Sequence, residues 1–204
     1  MAEQTTTLQT IAPNQYTLKD ITKGTRGLAS LTGFEREEVS KFQYADEQII
    51  AIEHEMQQKV AFKNKTYRFK ALADTTNITG HDKQSFSLTS TLKPISSHML
   101  PLWLSTQVCN ETKQTKKKIS VAVLKSKRIK TYEFNVFDEA PLLTRIDRIY
   151  PPGVNRNSQI WLDKNNHCLP IKTRHQEDDE PVIETKLLTH HLIDSEKPSA
   201  ISHE

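Results

Sequence analysis

The chain has 204 residues, 35% hydrophobic and 26% charged, with 28 basic residues against 25 acidic ones for a net charge of +3. That length fits one domain. So thin an apolar share fits one sheet better than several helical layers, and so small a basic excess gives no footprint for nucleic-acid binding.

In chain order, residues 1–13 are polar and Thr/Gln-rich and end at Pro13, which predicts a flexible N-terminal arm. Residues 14–194 read as a single β-rich domain and residues 195–204 as a flexible C-terminal tail. The stretches 28–31 and 34–44 predict a first hairpin turning at Thr32-Gly33. In 49–60, Ile50, Ile52, His54, Met56 and Gln58 share one face in an imperfect period of two, which favours a strand, with a helix the competing reading because Glu, Gln, Met and Ala are good helix formers. Residues 65–73 alternate again, with Tyr67, Phe69 and Ala71 on one face. Asn77 to Gly80 reads as a turn, and 85–92 as a further strand.

The pattern then changes. Residues 96–109 are dense in apolar side chains and do not alternate. Ser96 or Ser97 suits a helix cap, and Pro101 is tolerated in a first turn. Met99, Leu100, Trp103, Leu104 and Val108 then form a stripe, which predicts one helix plugging a curved sheet. The basic run from Lys113 to Lys118 reads as a solvated loop. Strands resume at 118–124 and 129–137, the latter with Tyr132, Phe134 and Val136 toward the core. They continue at 142–150, before the breaker Pro151-Pro152-Gly153. The runs 159–162 and 169–174 flank a polar turn and predict a hairpin carrying Trp161. Residues 182–193 close the series. The fold class expected is mainly β: an antiparallel, strongly curved sheet or partly open β-barrel closed by one short helix.

Several motifs carry a family resemblance. Ser40-Lys41-Phe42 matches a Ser-x-Phe strand. Ile119 to Val123, followed by Lys130-Thr131-Tyr132-Glu133-Phe134, matches a valine strand and a Lys-x-Tyr-x-Phe strand. The hairpin from Ser158 through Trp161-Leu162 to Leu169-Pro170-Ile171-Lys172, with Glu184 to Leu187 after it, matches an Ile-Trp-Leu and Leu-Pro-Val pair and a final strand. Over residues 16–193 the chain resembles the bacterial domain-of-unknown-function (DUF) 3108 family of exported proteins. It departs at Phe69-Lys70-Ala71, where the family has Phe-Asp-Trp, and at Lys93-Pro94-Ile95-Ser96, where the family has Asp-x-Leu-Ser. The family's early hairpin and signal peptide are not recognisable here. The resemblance implies a periplasmic, envelope-associated protein and supplies no activity.

The residues themselves point to no enzyme. The eight histidines show no ligand spacing for zinc. The carboxylates Glu35, Glu37, Glu53 and Glu55 read as solvated faces, and five glycines leave no phosphate-cradling loop. No catalytic residue, metal or cofactor is expected, and no stretch is apolar enough for a transmembrane segment. Cys109 and Cys168 fit either a disulfide or two separate thiols. The expected role is a binding module whose concave sheet takes an apolar or lipid ligand, with Met99, Trp103, Tyr132, Phe134 and Trp161 as ligand-binding residues. The alternative is a scaffold meeting a protein partner at an edge strand. Trp161, between Ile160 and Leu162, is expected to bury a ring face, so that Trp161→Ala costs ~3–5 kcal/mol.

Overall fold

The computed structural model describes residues 1–46, 48–73, 75–109, 118–125 and 127–191. Its first half is one antiparallel meander of β1 (Ala2–Ala12), β2 (Gln15–Gly24), β3 (Glu35–Ala45), β4 (Gln48–Val60), β5 (Lys63–Ala71), β6 (Asn77–Asp82) and β7 (Gln84–Thr89). A five-residue helix, α1 (Gly27–Leu31), bridges β2 and β3. The second half is a curled half-barrel of β9 (Lys118–Lys125), β10 (Arg128–Ala140), β11 (Leu143–Ile149), β12 (Arg156–Asp163), β13 (Leu169–Glu177) and β14 (Ile183–Lys186). Between them run the two-residue β8 (Ile95–Ser96), a 3-10 turn (Ser97–Met99) and α2 (Leu100–Val108). β8 pairs in parallel with β9, so this connector joins the second sheet.

The tight hairpins follow from local chemistry. Asn14, Lys83 and Lys127 take positive φ at the β1–β2, β6–β7 and β9–β10 turns, which reverses the chain within a few residues. Alternation then sets the faces. Ile52, His54 and Met56 of β4, Tyr67, Phe69 and Ala71 of β5, and Tyr132, Phe134 and Val136 of β10 all point inward and are buried. The outer face of the first sheet is solvated. There Lys19 meets Glu37 at 2.8 Å and Lys23 meets Glu35 at 3.3 Å. One apolar cluster contains residues of both sheets and of the connector, including Ile52, Ile78, Met99, Leu104, Val123, Ile146 and Leu162.

The mainly β, antiparallel class with a short helix is the one the pattern predicts, but the strands among the described residues form two sheets of seven. Four local readings change. Residues 1–13, expected as a free arm, hold β1, because Thr, Leu and Ile sustain a strand wherever a neighbour completes the ladder. Residues 28–31 lie in α1, and the first hairpin is β1–β2. Residues 77–80 open β6, and Gly80 is there for space: a Cβ would sit 2.3 Å from Cζ of Phe86 and 2.6 Å from the Arg68 carbonyl oxygen. Of the closing stretch 182–193, the described residues to 191 form only the four-residue β14, and 192–193 lie outside the described residues. The tail 195–204 and most of the basic run 113–118 lie outside the described residues.

Candidate functional site

Strand register arranges the inner face of the first sheet in rows. Tyr16, Phe42, Ile52, Ala71, Ile78 and Leu88 lie side by side on β2 to β7. The next row is Leu18, Ser40, His54, Phe69, Gly80 and Phe86. The third is Asp20, Glu38, Met56, Tyr67, Asp82 and Gln84. The face therefore grades from apolar to charged along the strands, with a hydrogen-bonding row between.

At the apolar end a cleft of about 200 Å³ opens between this sheet and α2. Leu8, Tyr16, Phe42, Tyr44 and Ile49 form the sheet wall, and Met99, Leu102, Trp103 and Thr106 form the helix wall. Tyr16 stacks on Phe42 with ring centroids 5.4 Å apart. The volume is below that of sites for drug-sized molecules, and a nearly all-carbon lining offers little to a polar group. Such a slot suits the end of one hydrocarbon chain.

The row above holds a buried polar cluster. Ser40 Oγ lies 2.9 Å from His54 Nδ1, 3.2 Å from His98 Nδ1 and 3.2 Å from Ser96 Oγ. The far nitrogens face carboxylates: His54 Nε2 is 3.8 Å from Glu38 and His98 Nε2 is 3.6 Å from Asp20. Arg36 holds Glu38 at 2.9 Å. Burial pushes His54 down to about 3, helped by His98 and Arg36. Burial pushes His98 down to about 4, helped by Arg36. Both imidazoles are therefore neutral at pH 7. Burial also raises the Asp20 carboxyl. A serine between two histidines, each facing a carboxylate, has the composition of a hydrolytic site. Ser40 is wholly buried, however, and a nucleophile must reach its substrate. The cluster instead joins β3 and β4 to the connector.

The structure brings together only some of the expected ligand residues. Met99 and Trp103 stand on the cleft wall. Tyr132 and Phe134 are buried on the inner face of the second sheet, where the Arg148 guanidinium lies 3.4 Å from the Tyr132 ring centroid. Trp161 faces away from the core, since Ile160 and Leu162 on either side are the buried ones. Its Nε1 donates to Glu139 at 2.6 Å, and Lys172 lies 4.8 Å from its ring centroid. Trp161 is thus half-buried on the outer face of its sheet and not in the core, because strand alternation turns it away from Ile160 and Leu162. Cys109 and Cys168 form a disulfide, with Cα atoms 6.1 Å apart.

Sequence reasoning missed Tyr16, Phe42, Tyr44 and the histidine pair. A usable signal existed in His54, an inward position between Ile52 and Met56. Among the described residues no group of three or more His, Cys, Asp or Glu could hold a metal ion, and no helix is long and apolar enough to cross a membrane. A larger hollow of about 570 Å³ is walled by Lys65, Asp82, Lys83, Gln84 and Lys127. Its charges are largely solvated and give an anion little beyond what water gives. No family model, no curated protein and no solved structure matches this chain.

Proposed function

We propose that this protein is a non-enzymatic binding module of the cell envelope that holds the end of an acyl or lipid chain in the cleft between the first sheet and α2. The observation that carries this reading is the cleft, with its wall of Tyr16, Phe42, Met99, Leu102 and Trp103. Burying a methylene there is worth ~0.8 kcal/mol, so a few carbons give measurable affinity. The Cys109–Cys168 disulfide fits an oxidising compartment such as the periplasm. The likeness of the Trp161 hairpin to exported DUF 3108 proteins points the same way.

The test uses Trp103 as reporter in a Trp161→Phe background. A brominated fatty acid quenches Trp103 if its chain enters the cleft, and Leu102→Glu abolishes the quenching while leaving the melting temperature near that of the parent. Organic extraction of the purified protein, read by mass spectrometry, reports chains already bound. Unquenched Trp103 together with a clean extract would rule the reading out.

A second reading rests on β1. This edge strand has eleven residues, of which Glu3 alone is charged, and it has neither proline nor lysine. Edges are usually protected by such residues or by brevity, so β1 offers a template for a partner strand. A pull-down that succeeds with the wild type and fails with a Thr5→Pro variant favours that reading.

A further inference from the structure

We propose that the buried cluster of Ser40, His54, Ser96 and His98 is an acid-operated latch, and that protonating its imidazoles loosens the connector from the first sheet and releases a chain held in the cleft. The release half rests on the cleft reading above; the latch does not.

The connector is tied to the second sheet. β8 is hydrogen-bonded to β9, Ser105 Oγ donates to the Cys168 carbonyl at 2.6 Å, and Cys109 is bonded to Cys168. Its serine and histidine cross instead to the first sheet, where both reach Ser40. The latch is thus a polar joint between two bodies, set in an apolar core.

Neither far nitrogen has a hydrogen bond that would hold a positive ring: His98 Nε2 is buried without a partner, and the facing carboxylates stand 3.8 Å from His54 and 3.6 Å from His98. With each Nε2–H toward its carboxylate, both Nδ1 atoms are acceptors. Ser40 then donates to His54, and Ser96 donates to His98 at 3.5 Å or to Ser40. Protonation turns both Nδ1 atoms into donors converging on one hydroxyl oxygen, with ring centroids 5.6 Å apart. Two like charges then share a site that burial already makes hostile to one. The groups facing the pair are Asp20 on β2, Arg36 and Glu38 on β3, and Tyr67 on β5. Between Ile119 and Leu124, β9 presents no ionisable side chain. Glu38 is already held by Arg36, so its charge is shared.

The latch and the cleft are mechanically continuous. Met99, next to His98, is cleft wall, and Phe42 follows Ser40 on the same face of β3. Loosening the 3-10 turn therefore moves the helix wall away from the sheet wall.

The experiment follows Trp103 emission in the Trp161→Phe background from pH 7.5 to 3.5, with far-ultraviolet circular dichroism in parallel. The expected result is a single red-shifting step between pH 4 and 6.5 with strand signal retained, and loss of fatty-acid quenching in the same step. His54→Phe combined with His98→Asn removes the step. Should that variant fail to fold, imidazole nitrogen shifts in the wild type replace it: His54 and His98 must take up protons within the step. A step that survives in the variant, rings that stay neutral through it, or strand signal lost with it overturns the latch. Absence of any step does the same. A step without fatty-acid quenching at pH 7.5 overturns the release half while the latch stands, and a clean extract besides overturns the cleft reading too.

Discussion

At the residue scale, alternation decides what each side chain is worth. Trp161 is the largest residue of its hairpin and the one the sequence singles out, yet its contacts are Glu139 and Lys172 on the outer face. Trp161→Ala should cost ~1–2 kcal/mol, the scale of a half-buried ring with one cation–π contact and one hydrogen bond. Leu162→Ala, one residue along and fully buried, should cost ~2–5 kcal/mol. Urea midpoints of the two variants check the order, and a larger loss at Trp161 would contradict the assigned faces. The histidine pair gives a second prediction. A histidine whose folded pKa is lowered binds fewer protons folded than unfolded. Its stability is complete above the unfolded value of 6.5 and drains away as pH falls toward about 3 for His54 and about 4 for His98. The unfolding free energy read from urea melts should therefore drop between pH 7 and 4.5, by at most a few kcal/mol per histidine. Asp20 acts with the opposite sign. Its raised pKa costs stability above the unfolded value of 3.8 and relieves that cost in acid, which softens the fall. Neither histidine was legible as part of a cluster, because Ser40 and Ser96 are separated by 56 positions and meet only through tertiary packing.

At the element scale, the pieces read correctly were those whose core side is apolar. β4, β5 and β10 announce themselves through Ile52, Phe69 and Phe134, and the helix through its unbroken apolar density. The β1–β2 hairpin was hidden because its inner positions include Gln4, Thr6 and Asp20, polar residues that carry no hydrophobic period. The helix shows the opposite error in detail. Ser96, a natural cap, makes no cap bond and turns its hydroxyl to Ser40. What fixes α2 is its far end, where the Cys109–Cys168 bond closes a loop of 59 residues. Constraining an unfolded loop of that length is worth about 4 kcal/mol on the chain-entropy account. Adding reductant, or replacing both cysteines with serine, should lower the stability by roughly that amount in urea melts. An unchanged midpoint would show the bond to be incidental to the fold.

At the scale of the whole molecule, local patterns cannot say whether the fourteen strands among the described residues make one sheet or two. Each hairpin looks the same in either arrangement, and the answer lies in β8, a two-residue strand whose parallel pairing with β9 starts the second sheet. What unites the halves is the interior. Met99 and Leu104 of the connector are fully buried in the same cluster as Ile52 and Ile78 from one sheet and Ile146 and Leu162 from the other. A shared core predicts that the two sheets unfold as one cooperative unit. Ile52→Ala and Ile146→Ala each delete a buried branched side chain, at ~2–5 kcal/mol, one in each sheet. Each should shift a single urea transition as a whole. Circular dichroism, which reports both sheets, should coincide with the emission of Trp103 at the joint and of Trp161 on the second sheet. If Ile52→Ala splits the curve, so that Trp161 keeps the parental midpoint while the strand signal is lost earlier, the sheets fold as separate units. The cleft would then be a boundary between two domains instead of a recess in one.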